Sequence, residues 1–278
     1  MLTRRQFLHA SGAALLASTR RARAPLRVVV LRESTAGSES MMAGARLGSD
    51  EASRAARMFD LPLTVRDAEP WSGGLPRDAD VVVGGMTDAS CARLSELAES
   101  AGVLFLDVGS TDDALRGAAC GATTFHVAAS EAMHRDARRL AAMGDDARVA
   151  LWLPTLEAFG AAQLNDRFRQ RIGAPMDSAA WAGWFAVKAV SEAYFRARGG
   201  DAAAVRAQLV HPDARFDGHK GKPLSFRAWD RQLRQPLYVL GRAGTEPVEL
   251  PRRGEPGSTW EQLDRLGTRA SDSTCHAS

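Results

Sequence analysis

From Leu26 onward the chain alternates between two hydrophobic rhythms. Continuous apolar runs ("LRVVVL" at Leu26 to Leu31, "DVVVGG" from Asp80, "GVLFLDV" from Gly102) are bounded by Gly, Ser and Thr. Between them apolar residues recur at helical spacing, as at Leu94, Leu97, Ala98 and Ala101. An unbroken apolar run predicts a strand buried on both faces, and the second rhythm predicts an amphipathic helix. Their alternation predicts an α/β fold with a doubly wound, mainly parallel sheet.

The same reading predicts a helix around Glu39 to Met58, a strand over Leu63 to Arg66 and another in "TTFHV". Ser130 is placed to cap a helix running through Met133, Ala137, Leu140 and Met143. The pattern then becomes irregular. A short strand over Val149 to Leu153 precedes helices at Leu156 to Arg171, Ser178 to Arg198 and Ala202 to Val210. We therefore expect a first α/β lobe over 25–128, a reduced and mostly helical second lobe over 129–210, a crossover segment returning to the sheet over 211–267, and a disordered tail over 268–278.

The N-terminus changes the charge balance. Arg4 and Arg5 stand before Phe7 and Leu8, a weakly apolar stretch runs from Ala10 to Ser18, and Ala22-Arg23-Ala24 supplies a small-x-small cleavage pattern. This layout predicts a twin-arginine signal over residues 1–24 and a periplasmic location. Five of the 36 basic residues and none of the 33 acidic ones precede Pro25. The mature chain is thus slightly acidic, which removes the electrostatic warrant for a nucleic-acid partner. No mature stretch approaches the roughly 18 to 20 apolar residues of a membrane span.

Three cysteines show no metal-ligand spacing. Cys91 and Cys120 either pair in an oxidising compartment or stay as two thiols. Cys275 falls in the polar end expected to be disordered. His126 with His134, and His211 with His219, are seven apart, a spacing without metal-site logic on a helix. Asp112 and Asp113 read as helix-capping carboxylates. No motif for a nucleophile, a P-loop, a dinucleotide or a zinc site is present. We expect no catalysis, no metal and no cofactor.

What remains is a set of strand ends. In an open parallel sheet, ligands sit outside the carboxyl ends of strands. Three loops there, "RESTAGSES", "GGMTDAS" and "GSTDDALRG", are rich in Gly, Ser and Thr. They supply hydroxyls, close backbone approach and helix N-termini suited to an anionic group. Each loop taken alone also fits ordinary capping chemistry. Arg32, at the end of the first strand, is a candidate charge partner for an acid.

These strand-and-loop units, in this order, resemble type I periplasmic solute-binding proteins of the leucine/isoleucine/valine-binding class, which serve ABC transporters. The late stretch "FDGHKGKPLSFRAWDRQLRQPLYVL" resembles that family's crossover segment, with a Gly-rich turn, an "SF" strand and a returning "LYVL" strand. Its arginines then face water or acidic partners while alternate residues pack on the sheet. Together with "GAAQLNDRFRQRIGAPMDSAAWAGWFAVKAVSEAYFRA", the wording is similar to the binding proteins that accompany dehydrogenase systems dependent on pyrroloquinoline quinone (PQQ). The resemblance implies a small-molecule ligand and an ABC permease or a quinoprotein dehydrogenase as partner. It places ligand contacts at Thr87 and Asp88 in the third-strand loop and at Ser110 and Thr111 in the fourth. It also makes PQQ a candidate ligand, a planar tricarboxylate that wants arginines and stacking tryptophans. Trp152 is the stacking candidate. Trp181 and Trp184, three apart on a predicted helix, fit core packing better. Family members carry further βα units in a second lobe that this chain shortens to "GDDARVAL", so hinge closure over a ligand is in question. A relative that no longer clamps ligand and serves as a periplasmic scaffold is the rival expectation.

Overall fold

The computed structural model describes residues 24–241 and 246–276. The twin-arginine signal expected over 1–24 lies outside the described residues, save Ala24.

The chain runs β1 (Leu26–Arg32), α1 (Ser38–Phe59), β2 (Leu63–Pro70), β3 (Val81–Gly84), α2 (Asp88–Ala101), β4 (Leu104–Asp107), β5 (Thr124–His126) and α3 (Glu131–Ala141). It continues through β6 (Arg148–Ala150), α4 (Ala161–Ile172), α5 (Ser178–Arg196), α6 (Ala202–Leu209), β7 (Phe216–Asp217), β8 (Pro223–Phe226), β9 (Leu233–Arg234), β10 (Leu237–Leu240), β11 (Val248–Leu250) and α7 (Thr259–Leu263). The first five strands form a parallel sheet in the order β2-β1-β3-β4-β5. This is the expected doubly wound α/β sheet, and its order reverses beside β1.

Successive strand residues point to opposite faces, so the apolar runs feed two cores. Val28, Val30, Val81, Val83, Leu104 and Leu106 face one cluster with α1 and α5. Val29, Leu31, Val82 and Phe105 face the other, against Cys91, Leu94 and Ala98 of α2.

Glycines set how α5 lies along α1. A Cβ on Gly44 would sit 1.8 Å from the Ala180 carbonyl oxygen, and one on Gly183 would sit 2.2 Å from that of Met41. Only bare backbone fits there. The approach buries Trp181, Trp184, Phe185, Val190 and Tyr194, each large apolar side chain contributing roughly 1.5–3 kcal/mol. Residues of the stretch expected as a second lobe thereby share one hydrophobic cluster with the parallel sheet.

Several expectations need correction. The helix expected from Leu156 begins at Ala161, because Phe159 and Gly160 hold φ of 58° and 85° and break the helical path. The crossover segment does not rejoin the parallel sheet as a strand. Its β10 pairs antiparallel with β6 and β11 in a three-stranded sheet, and β7, β8 and β9 form another. Among the described residues its backbone pairing with the parallel sheet is a single bridge, His126 to Gln232. Two of its arginines do meet acidic partners, one of the two environments expected. Arg227 is buried on Asp230, and Arg234 pairs with Asp264.

The tail is ordered as far as described. Residues 270–272 make a 3-10 turn, and Cys275 forms a disulfide with Cys120. Cys91 is a buried free thiol, so the Cys91–Cys120 pairing is excluded. Long-range folding brought Cys275 back, which no local spacing could reveal.

Candidate functional site

Three loops meet where β1, β3 and β4 end, and internal carboxylates bind them together. Glu33, directly after β1, is largely buried. Its Oε1 accepts from the Gly85 and Met86 N–H groups at 2.8 and 3.0 Å. Asp88, the first residue of α2, accepts from Ser110 Oγ at 2.7 Å and from the Thr111 N–H at 3.1 Å. Thr87 caps α2 through a reciprocal pair with Ser90. Gly109 lies so close to the β3 loop that a Cβ there would sit 2.7 Å from Met86 Cα.

The helix starts on this edge join the same arrangement. Ser40 Oγ donates to Asp177 Oδ1 at 2.7 Å, linking the first turn of α1 to the cap of α5.

Beneath the β4 loop lies a buried polar hub. Asp107 Oδ1 accepts from the Gly109 and Ser110 N–H groups, and its Oδ2 accepts from His126 Nδ1 at 2.8 Å and Arg116 at 3.1 Å. Arg116 also donates to the carbonyls of Ser110, Asp112 and Ala128 and to Gln232 Oε1. The Ser110 and Asp112 carbonyls of this turn thus find a donor in the buried Arg116. Burial alone would raise the Asp107 carboxyl, yet the His126 and Arg116 donors hold it below the usual carboxylate range.

His126 faces two acceptors, since its Nε2 lies 3.1 Å from the Leu115 carbonyl. That favours an imidazolium, but burial first and Arg116 second push its pKa down. We place the neutral ring's proton on Nδ1, toward the stronger acceptor, Asp107.

Cys91, Asp107 and His126 bring three ligand-type atoms within 4.8 Å of one another. A cation there would share Asp107 with the Arg116 guanidinium, an arrangement that repels it. Burial pushes the Cys91 thiol up, so it stays protonated.

Thr87, Asp88, Ser110 and Thr111 are brought together as the resemblance implied. Thr87 and Asp88 are exposed, Ser110 is buried under Asp88, and Thr111 is half-buried. Arg32 stands on the same edge, with its Nε 3.4 Å from Glu39 Oε1. Trp152 does not join them as a stacking face. It is 1% exposed, donates its indole N–H to Asn165 Oδ1 at 2.8 Å and stacks on Trp181 at 6.2 Å.

Trp181 and Trp184 are as deeply buried as Trp152. The three therefore offer no exposed ring face for stacking. Asp112 and Asp113 do cap, onto the Ala114 and Ala132 N–H groups.

Glu33 and Arg116 were missed from sequence. A charged residue placed directly between an apolar strand and a Ser-rich loop was the available signal for Glu33. Arg116 gave none, because its partners come from β4, the β5 loop and residue 232.

No protein-family model matches the chain, and no curated protein does. Solved structures do. A periplasmic binding protein from Burkholderia mallei superposes with a TM-score of 0.69 at 11% identity, covering 91% of this chain and 98% of that one. An amino acid ABC transporter substrate-binding protein from Pseudomonas fluorescens Pf-5 gives 0.66 at 13% identity, covering 87% and 99%. An ABC-transporter solute-binding protein from R. palustris, in complex with benzoate, gives 0.66 at 13% identity, covering 91% and 100%. At such identity the likeness concerns fold, and it agrees with the parallel sheet and its flanking helices. The fold is that of the type I periplasmic binding proteins.

Proposed function

We propose that the chain is the non-catalytic, periplasmic substrate-binding component of an ABC-type transport system, exported on a twin-arginine signal. It takes a small anionic or aromatic solute at the ends of β1, β3 and β4. One observation carries this reading. Among the described residues, the buried side-chain polar atom left without a hydrogen-bond partner is Arg32 Nε, at the end of β1. Its nearest acceptor is Glu39 Oε1, 3.4 Å away in an ion pair without a hydrogen bond, so an incoming carboxylate would compete with Glu39 for this donor. The neighbours that carry amino acids or benzoate have the same fold. PQQ and a place beside a PQQ-dependent alcohol dehydrogenase remain part of the proposal through the sequence resemblance, although Trp152 is unavailable to stack.

The test is native mass spectrometry of the mature protein from periplasm, repeated with branched-chain amino acids, benzoate and PQQ. A one-to-one adduct names the solute class. Substituting Ser110→Ala with Thr111→Ala should then weaken that adduct about tenfold, since a lost hydrogen bond to a charged group is worth about 1.5–3 kcal/mol. Unchanged affinity removes both residues from the site.

A second reading is a periplasmic scaffold without clamping. Two observations favour it: the described residues form one parallel sheet, and the loop amides of Gly85, Met86, Ser110 and Thr111 are already taken by Glu33, Asp107 and Asp88. An apo mass in every condition supports this reading.

A further inference from the structure

We propose that residues 267–276 form a redox-released strap that holds the Asp107–Arg116 side of the candidate site in place through the turn at Trp229–Gln232. Its functional meaning rests on taking the strand-end loops as the ligand site.

The strap has few holds. The Gly267 N–H donates to Asp136 Oδ2 at 2.9 Å. Trp229 is gripped twice, its indole N–H donating to the Thr268 carbonyl and its own carbonyl accepting from Ser273 Oγ. Thr274 Oγ1 occupies the space a Cβ on Gly117 would need. Beyond these and the contact of Arg231 with Cys275 Sγ, the anchor among the described residues is the Cys120–Cys275 bond. A segment with one 3-10 turn and no strand pairing opens readily once its anchor is cut.

What the strap grips is under strain. Arg231 holds φ of 54°, a left-handed conformation unfavourable for a residue with a side chain. It donates to Cys275 Sγ, and its carbonyl accepts the His126 N–H. The next residue, Gln232, is the crosspiece. Its Nε2 donates to the His126 and Ala128 carbonyls, and its Oε1 accepts from Arg116 Nε at 2.9 Å. Arg116 in turn donates to the Ser110 carbonyl at 2.8 Å. A continuous line of contacts thus runs from Cys275 to the β4 loop. Freed from the strap, the Arg231 turn relaxes and takes Gln232 from Arg116.

The bond is reachable. Cys120 and Cys275 are both half-buried, whereas Cys91 is inaccessible. The reductant is an external dithiol. Its thiolate attacks one sulfur and expels the other as thiolate, then its second thiol closes onto the first and expels the protein sulfur. Two electrons pass to the protein disulfide, which takes up two protons and becomes two thiols.

Hydrogen–deuterium exchange of the mature chain, oxidised and after dithiothreitol, tests this without any ligand. Amides of 267–276 and of 107–116 should both exchange about tenfold faster after reduction, while those of α1 and α5 stay protected. The Cys120→Ser/Cys275→Ser variant should match the reduced protein, and Trp229→Phe, which keeps the disulfide, should fall between. Release of 267–276 with no change at 107–116 overturns the proposal. So does uniform loss of protection, which would make the bond a global staple, or a strap that stays protected when reduced. If exchange moves as expected but no solute binds in either redox state, the strap stands and the ligand reading falls.

Discussion

Lys220 is buried with its Nζ bonded to Gln235 Oε1 and the Pro236 carbonyl, 3.7 Å from the centre of the Trp181 ring. These are three good partners for an ammonium, but burial outweighs them and lowers the pKa well below the ordinary 10.5. Between the folded value and 10.5 the unfolded chain holds a proton that the folded chain lacks. Stability therefore rises with pH across that window and is lost as pH falls through it. Urea midpoints at constant ionic strength should climb as pH rises toward 10.5, and Lys220→Met should flatten the climb. A wild-type profile already flat would refute the account. Trp152 gives a second residue-scale outcome. Trp152→Phe removes the indole donor from Asn165 and should cost about 1–3 kcal/mol, with solute affinity unchanged. Weakened affinity would return Trp152 to the site.

At the scale of elements, the parallel packing of α1 and α5 joins two stretches far apart in the sequence. Gly44→Ala would place a methyl against the Ala180 carbonyl, and backbone at that point has nowhere to retreat. We expect a loss of about 3 kcal/mol, read as a lower urea midpoint with an unchanged slope. A midpoint matching wild type would mean the helices slide apart at little cost. The strand ends depend on the same packing, because the cap of α5 at Asp177 holds Ser40 of α1. The apolar runs made β1, β3 and β4 legible, since a strand buried on both faces needs little else to declare itself. The short β7 and β9 were harder to bound, because a two-residue strand has no period to read.

For the whole molecule, the described residues form two three-stranded antiparallel sheets beside a single parallel one. Without a second parallel lobe to swing, solute should leave the radius of gyration by X-ray scattering unchanged near roughly 18 Å. A contraction would reveal a closing clamp. The sequence by itself determined the parallel α/β core and its Ser/Thr-rich strand-end loops, while the family resemblance singled out Thr87, Asp88, Ser110 and Thr111 within them. Local apolar rhythm and strand-end capping residues are properties of neighbours in the chain. Only the tertiary structure decided that Trp152 belongs to the core, that Arg116 and Glu33 brace the loops, and that Cys275 finds Cys120 across 155 residues. Each of these rests on partners far apart in sequence, whose meeting is fixed by how the helices and sheets pack, not by the residues around them.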